Sequence, residues 1–211
     1  MAQSYKIQPG DHASRLADRF GFADFKTIWN DPQNAALRAK RNDPHVLMPG
    51  DTIHIPDKQQ KTVDRPTGKM HTFVVKRRKL LLKLTVLDFD ARPVAKKDCE
   101  LEIDGAIFKL QTDANGCIQQ AIPRTAIGGT LKIPDLAYEF PVKIGHLDPV
   151  EEDTGWRARL INLGYHPGVM DSNDGLQLQH AIEEFQCDHK LKVTGIPDAA
   201  TRAQLKGTHG G

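Results

Sequence analysis

Apolar residues along the chain change their period at two places. In the middle third they alternate. Leu80, Leu82, Leu84 and Val86 fall on one face, with Lys79, Lys83 and Thr85 on the other; Cys99, Leu101 and Ile103 alternate with Glu100, Glu102 and Asp104. Phe108 and Leu110, Ile118 and Ile122, then Tyr138, Phe140, Val142 and Ile144 repeat the pattern. Period two marks strands with one buried face. Asp104-Gly105 separates two such runs directly, a tight hairpin signal, and Asp113–Gly116 is a further turn. Six or seven short strands in this stretch predict a small antiparallel sandwich.

The last third switches to helical spacing. Trp156, Leu160 and Leu163 share a stripe, as do Leu178, Ile182 and Phe185 with Ala181 beside them. Asp174 is placed to cap the second helix, and Pro197-Asp198 opens a third carrying Ala199, Ala203 and Leu205. Three short helices predict a small bundle. The first third mixes both periods: Tyr5 and Ile7 in a strand ended by Pro9-Gly10, then a helix capped by Asp11 with the stripe Ala13, Leu16, Ala17 and Phe20. A second helix capped by Asp24 holds Ile28 and Trp29, and a strand from Ile53 to Ile55 closes a β-α-α-β order.

These changes of period divide the chain into residues 1–57, a polar linker over 58–69, a strand-rich unit over 70–145 and a helical unit over 146–211, a multidomain α+β arrangement. Charge divides at the same places. The net charge of +2 resolves into seven basic and seven acidic residues before 58, sixteen and ten over 58–145, and six and ten after it. The middle is basic and the end acidic. With 39% hydrophobic residues there is enough apolar surface for cores, and no apolar run approaches the roughly 18 residues of a membrane span. Three cysteines without CxxC spacing exclude a disulfide scaffold and an all-cysteine zinc site.

In the first unit, Tyr5-Lys6-Ile7-Gln8-Pro9-Gly10-Asp11, Leu16-Ala17, Ile28-Trp29-Asn30 and above all Leu47-Met48-Pro49-Gly50-Asp51-Thr52-Ile53-His54-Ile55-Pro56 resemble a LysM domain. The resemblance implies a β-α-α-β fold binding peptidoglycan or a related N-acetylglucosamine glycan. It implies a groove between Gly10, Asp11, His12, Ala13 and Pro44, His45, Val46, Leu47. The spacer Asp31–Asp43 is longer than that family's usual one and is placed to cover or reshape the groove. In the last unit, Arg159–Tyr165, Asp171, Ala181–Gln186, Thr194-Gly195, Ala200-Thr201 and Leu205 resemble the three-helix peptidoglycan-binding-like domain of cell-wall hydrolases. This resemblance points to Gly164, Tyr165, Asp171 and Asn173 as a second, weaker glycan contact. The stretch Asp171–Gly175 lacks that family's usual first glycine and aromatic residue. Ala91–Val94 and Thr112–Gly116 resemble transthyretin-like or carboxypeptidase-regulatory-like sandwiches. The three units together look like accessory proteins of type VI secretion spike and effector clusters. That architecture implies a spike or effector protein as partner, or an adaptor, chaperone or neutralising role without glycan binding.

The basic run Lys76, Arg77, Arg78 and Lys79, with Lys83, has no interleaved aromatics, so it reads as a solvated strand end or a patch for an acidic protein rather than a nucleic-acid groove. Nine histidines include no HExxH and no HxxxH on a helix, and the carboxylate pairs Glu151-Glu152 and Glu183-Glu184 are sequence neighbours, about 100° apart on a helix. The expectation is therefore a non-enzyme without metal or cofactor. His146 and Asp148 alternate in an extended segment, on one side, where they can orient the domain junction. The opening MAQSYKIQPGDH has no apolar signal core, which sets the expectation of a chain cytoplasmic as synthesised, reaching the periplasm by contractile secretion.

Overall fold

A computed structural model describes residues 2–59, 62–74, 79–88, 90, 92–168 and 175–210. Three separate apolar cores organise them. The first holds β1 (Gln3–Lys6) antiparallel to β2 (Thr52–Ile55), with Tyr5 opposite Ile53. Between them come α1 (Ala13–Arg19), the single-turn α2 (Lys26–Trp29), a 3-10 turn over Pro32–Asn34 and α3 (Ala35–Arg41). Ile7, Leu16, Ala17, Ile28, Trp29, Leu37, Leu47, Ile53 and Ile55 form the core. Two expectations change here. The cap of α1 is His12, whose Nδ1 accepts from the Arg15 N–H; Asp11 instead accepts from the Gln8 N–H and the Tyr5 hydroxyl, bracing the loop before the helix. The long spacer is a third helix, α3. It is anchored by Asn34, whose side-chain amide donates to the Ile28 and His54 carbonyls and accepts from the His54 N–H.

The middle unit is antiparallel throughout. β3 (Leu80–Thr85) pairs with β6 (Cys117–Ile122). β4 (Asp98–Ile103), β5 (Ala106–Gln111), β7 (Gly128–Ile133) and β8 (Tyr138–Lys143) form a second sheet in the order β5-β4-β7-β8. Alternation puts Leu101 opposite both Phe108 and Leu131, and Leu101, Ile103, Ile122, Leu131 and Ile133 are fully buried. Each such side chain contributes roughly 1.5–3 kcal/mol of burial. The Asp104-Gly105 hairpin joins β4 to β5, and Asp113 Oδ1 accepts from the Asn115 and Cys117 N–H groups to close the next turn.

In the last unit α4 (Asp153–Asn162), α5 (Gly175–Asp188) and α6 (Ala199–His209) share a core of Val150, Trp156, Leu160, Ile182, Phe185 and Leu205. Asp198 caps α6 by accepting from the Thr201 N–H. The buried face of α6 is Thr201 and Leu205, four residues apart; Ala199 and Ala203 are exposed, so the alanines do not mark the buried stripe. The expected cap Asp174 lies outside the described residues.

Candidate functional site

The helical unit is organised by a fully buried amide. Gln186 on α5 donates to Thr194 Oγ1, Thr201 Oγ1 and the Ile196 carbonyl, and its oxygen accepts from the Thr194 and Gly195 N–H groups. One side chain thus satisfies the loop before α6 and binds it to α5. Of the residues expected to touch glycan here, Gly164 and Tyr165 form the stop of α4. The Tyr165 N–H donates to the Leu160 carbonyl and the Gly164 N–H to Ile161, with Gly164 at φ +93°, the left-handed turn that ends a helix. The half-buried Tyr165 ring meets the Phe185 ring edge-on at 5.3 Å, and its hydroxyl donates to Asp188 at 2.9 Å. Burial, with Asp188 beside it, pushes the phenol pKa far above its usual value. Asp171 and Asn173 lie outside the described residues.

The eight groove residues expected of the first unit do come together. The Ala13 N–H donates to the Pro44 carbonyl at 2.9 Å, joining the two loops, and the His12 and His45 rings lie 5.9 Å apart between centroids with their planes tilted by 56°. Phe25 backs His45 at 4.9 Å. Gly10, Asp11, His12, Ala13, Val46 and Leu47 are buried, and Pro44 and His45 are half-buried. Burial, with further lowering by His45 and Arg15 against a smaller opposing effect of Asp11, pulls the His12 pKa down to about 4; burial lowers that of His45.

The segment leading from β8 into α4 lies along these loops. The outward direction at Gly10 is blocked by His146, whose Nε2 sits 3.2 Å from where a Cβ would be. At Gly145, φ +74°, a Cβ would stand 2.6 Å from the Gly10 carbonyl oxygen and 3.0 Å from the His12 ring. At the far end of the segment Arg41, from the last turn of α3, donates through Nε to Asp51 at 2.6 Å and through Nη1 to Glu152 at 2.7 Å. Burial works against the charge of Arg41, but its hydrogen bonds to the Asp51 and Glu152 carboxylates outweigh it and hold the guanidinium protonated. Burial likewise opposes the Asp51 carboxylate, and Arg41 and Lys40 outweigh it. Arg159, fully buried on α4, donates through Nη1 to the Asp148 and Gly155 carbonyls. Burial lowers its pKa, with Glu151, Asp43 and Asp148 acting in the other direction. A third tie joins Arg124 of the middle unit to the Ala23 carbonyl at 2.9 Å. Arg41 and Glu152 were not legible as functional residues. They are 111 positions apart, and each reads locally as a solvated charge on a short helix or turn.

Of the basic patch, Lys79 and Lys83 are exposed, Lys83 on β3 opposite Gln119; Lys76, Arg77 and Arg78 lie outside the described residues. Cys99 is buried, which raises its thiol pKa, and with Cys117 and Cys187 it is a free thiol. Among the described residues no group of three or more His, Cys, Asp or Glu side chains is placed to hold a metal ion, and no helix is long and apolar enough to cross a membrane. No curated protein and no solved structure matches the chain. Residues 156–205, from Trp156 on α4 through Leu205 on α6, match the model of the family described as "Putative peptidoglycan binding domain", so the helical unit is similar to that family's domain.

Proposed function

We propose that this chain is a non-enzymatic accessory protein that binds peptidoglycan through its helical unit, with the loops of the LysM-like first unit as a second glycan contact. The observation that carries the reading is the family match over 156–205. Two weak contacts on one chain gain by linkage, because the second becomes intramolecular; avidity then exceeds either affinity by roughly 10²–10⁴ where both reach the same polymer. The sandwich serves as spacer, and its basic segment meets an acidic protein partner, a spike or effector of a contractile, type VI-like secretion machine that carries the protein to the wall. The architecture of the three units supports that association.

The test is co-sedimentation of the full chain with purified sacculi at low salt. The protein pellets with the sacculi if the reading holds; protein that stays folded in the supernatant sinks it. The burial of the first-unit loops favours a second reading, a protein–protein adaptor that reuses wall-binding folds. Pull-down from host cells separates the two: retention of a spike or effector protein with no sacculus binding selects the adaptor.

A further inference from the structure

We propose that the first-unit cleft is a closed site: the chain's own Gly145–Glu152 segment is its resident occupant, and an external N-acetylated glycan enters only when that strap is displaced. The inference rests on reading the first unit as a glycan contact and adds its regulation. The strap meets both loops. Gly145 and His146 lie on Gly10 and His12, and Glu152 is bound to Arg41 at the end of the second loop's own flanking helix. Between these ends Pro149, Val150 and Glu151 line one small cavity together with Asn42, Asp43 and Val46. The cavity left there is about 10 Å³, at the lower limit for one water.

The occupant is imperfect where it matters. His12 is 2% exposed, and its Nδ1 is used as the acceptor that caps α1, so the neutral ring carries its proton on Nε2. That Nε2 is buried and has no hydrogen-bond partner among the described residues. The strap residue against the His12 ring is Gly145, on the Cδ2 side, and it offers no side-chain acceptor. An acetamido carbonyl or a sugar hydroxyl supplies the acceptor that the strap withholds, and only a ligand with such a differential contact shifts the equilibrium. The strap can also leave without unfolding anything. Ile144 is held in the sandwich core, its N–H on the Ile127 carbonyl, and Val150 belongs to the helical core. Residues 145–147 span the gap between two cores, and Asp148 to Glu152 travel with α4, where Arg159 holds the Asp148 carbonyl. Releasing them moves the helical unit away from the first unit and leaves all three cores intact. Glycan binding at the cleft and seating of the strap are then mutually exclusive, and the apparent affinity falls by the fraction of open molecules.

The experiment titrates a β-1,4 oligomer of N-acetylglucosamine into the full-length protein and the variants His146→Ala, Glu152→Gln and Gly145→Ala, by calorimetry. Amide hydrogen exchange over 10–13 and 145–152 reads the strap. Gly145→Ala places a methyl group against the Gly10 carbonyl, so it wedges the seam even where the other two leave it shut. The expected result is faster exchange in both segments and an oligomer affinity raised about tenfold or more, with the gain lost when His12→Ala is added to the opened variant. Released strap with oligomer affinity equal to that of the unaltered protein overturns the latch and leaves the glycan reading of the first unit standing. Released strap with no oligomer binding overturns both. A strap that stays protected in all three variants and under saturating oligomer overturns the latch as well. Sacculus binding by the unaltered protein with the strap seated tests the helical unit's contact, whichever of these outcomes is found.

Discussion

His12 gives the most direct test of the closed cleft, through pH. Its folded pKa is about 4 against an ordinary 6.5, with burial as the main cause. Above about pH 6.5 the ring is neutral in both folded and unfolded chains and contributes no pH dependence. Between 6.5 and 4 the unfolded chain takes up a proton that the folded chain refuses, so stability falls as pH falls; below about 4 the loss is complete. The gap corresponds to about 3 kcal/mol in full, and to about 2 kcal/mol at about pH 5. The comparison variant is His12→Asn, because asparagine is a good N-cap and keeps an oxygen for the Arg15 N–H while removing the titration. The assay is urea unfolding at about pH 7.5 and about pH 5, read by hydrogen exchange in peptides from α1 and β2 so that only the first unit is reported. On acidification the unaltered protein loses about 2 kcal/mol more than His12→Asn. Histidine ring signals give a direct check, with His12 unshifted until near pH 4. Equal losses in the two proteins, or a His12 ring that titrates near 6.5, refute the reasoning: the ring would then be open to water and the strap not seated over it.

Replacing Gln186 with Met keeps the volume but leaves the Thr194 and Gly195 N–H groups without their acceptor, and costs the helical unit about 2–4 kcal/mol, measured by thermal unfolding together with loss of sacculus pelleting. Leu101→Ala opens a cavity between both of its partner strands and lowers the stability of the sandwich by about 2–5 kcal/mol, seen as early exchange in β4 and β7 with the helical unit unaffected. Asp188→Asn removes the negative charge beside the Tyr165 hydroxyl, so the phenol ionises at lower pH in an ultraviolet alkaline titration; an unchanged titration curve counts against the Tyr165–Asp188 hydrogen bond.

Local signals located most of the elements. Alternation at Leu101 and Ile103, the Asp104-Gly105 turn and the Asp198 cap each involve neighbours within a few residues, and each lies where the pattern puts it. The cap of α1 lies one residue beyond the one the sequence suggests, because both Asp11 and His12 carry a side-chain acceptor near the helix start. What selects His12 is that Tyr5 and Gln8 already engage the Asp11 carboxylate. The spacer helix α3 is not legible as an element, because its Ala35-Ala36-Leu37 run offers a single buried position, Leu37.

The amino-acid order by itself determined the changes of period along the chain, the buried alternation of Leu101 and Ile103, and the helix stripe of Ile182 and Phe185. These depend on period, turn chemistry and charge balance, which act over short stretches of chain. Only the tertiary structure decided whether the cleft was open. That outcome rests on Gly145 against Gly10, His146 beside it, and Arg41 reaching Glu152 across 111 positions. Contacts of that kind leave no periodic trace, because each joins single residues far apart along the chain. They matter physically because burying His12 between loop and strap removes its water, and a desolvated ring with an unpaired Nε2 is what a seated strap costs.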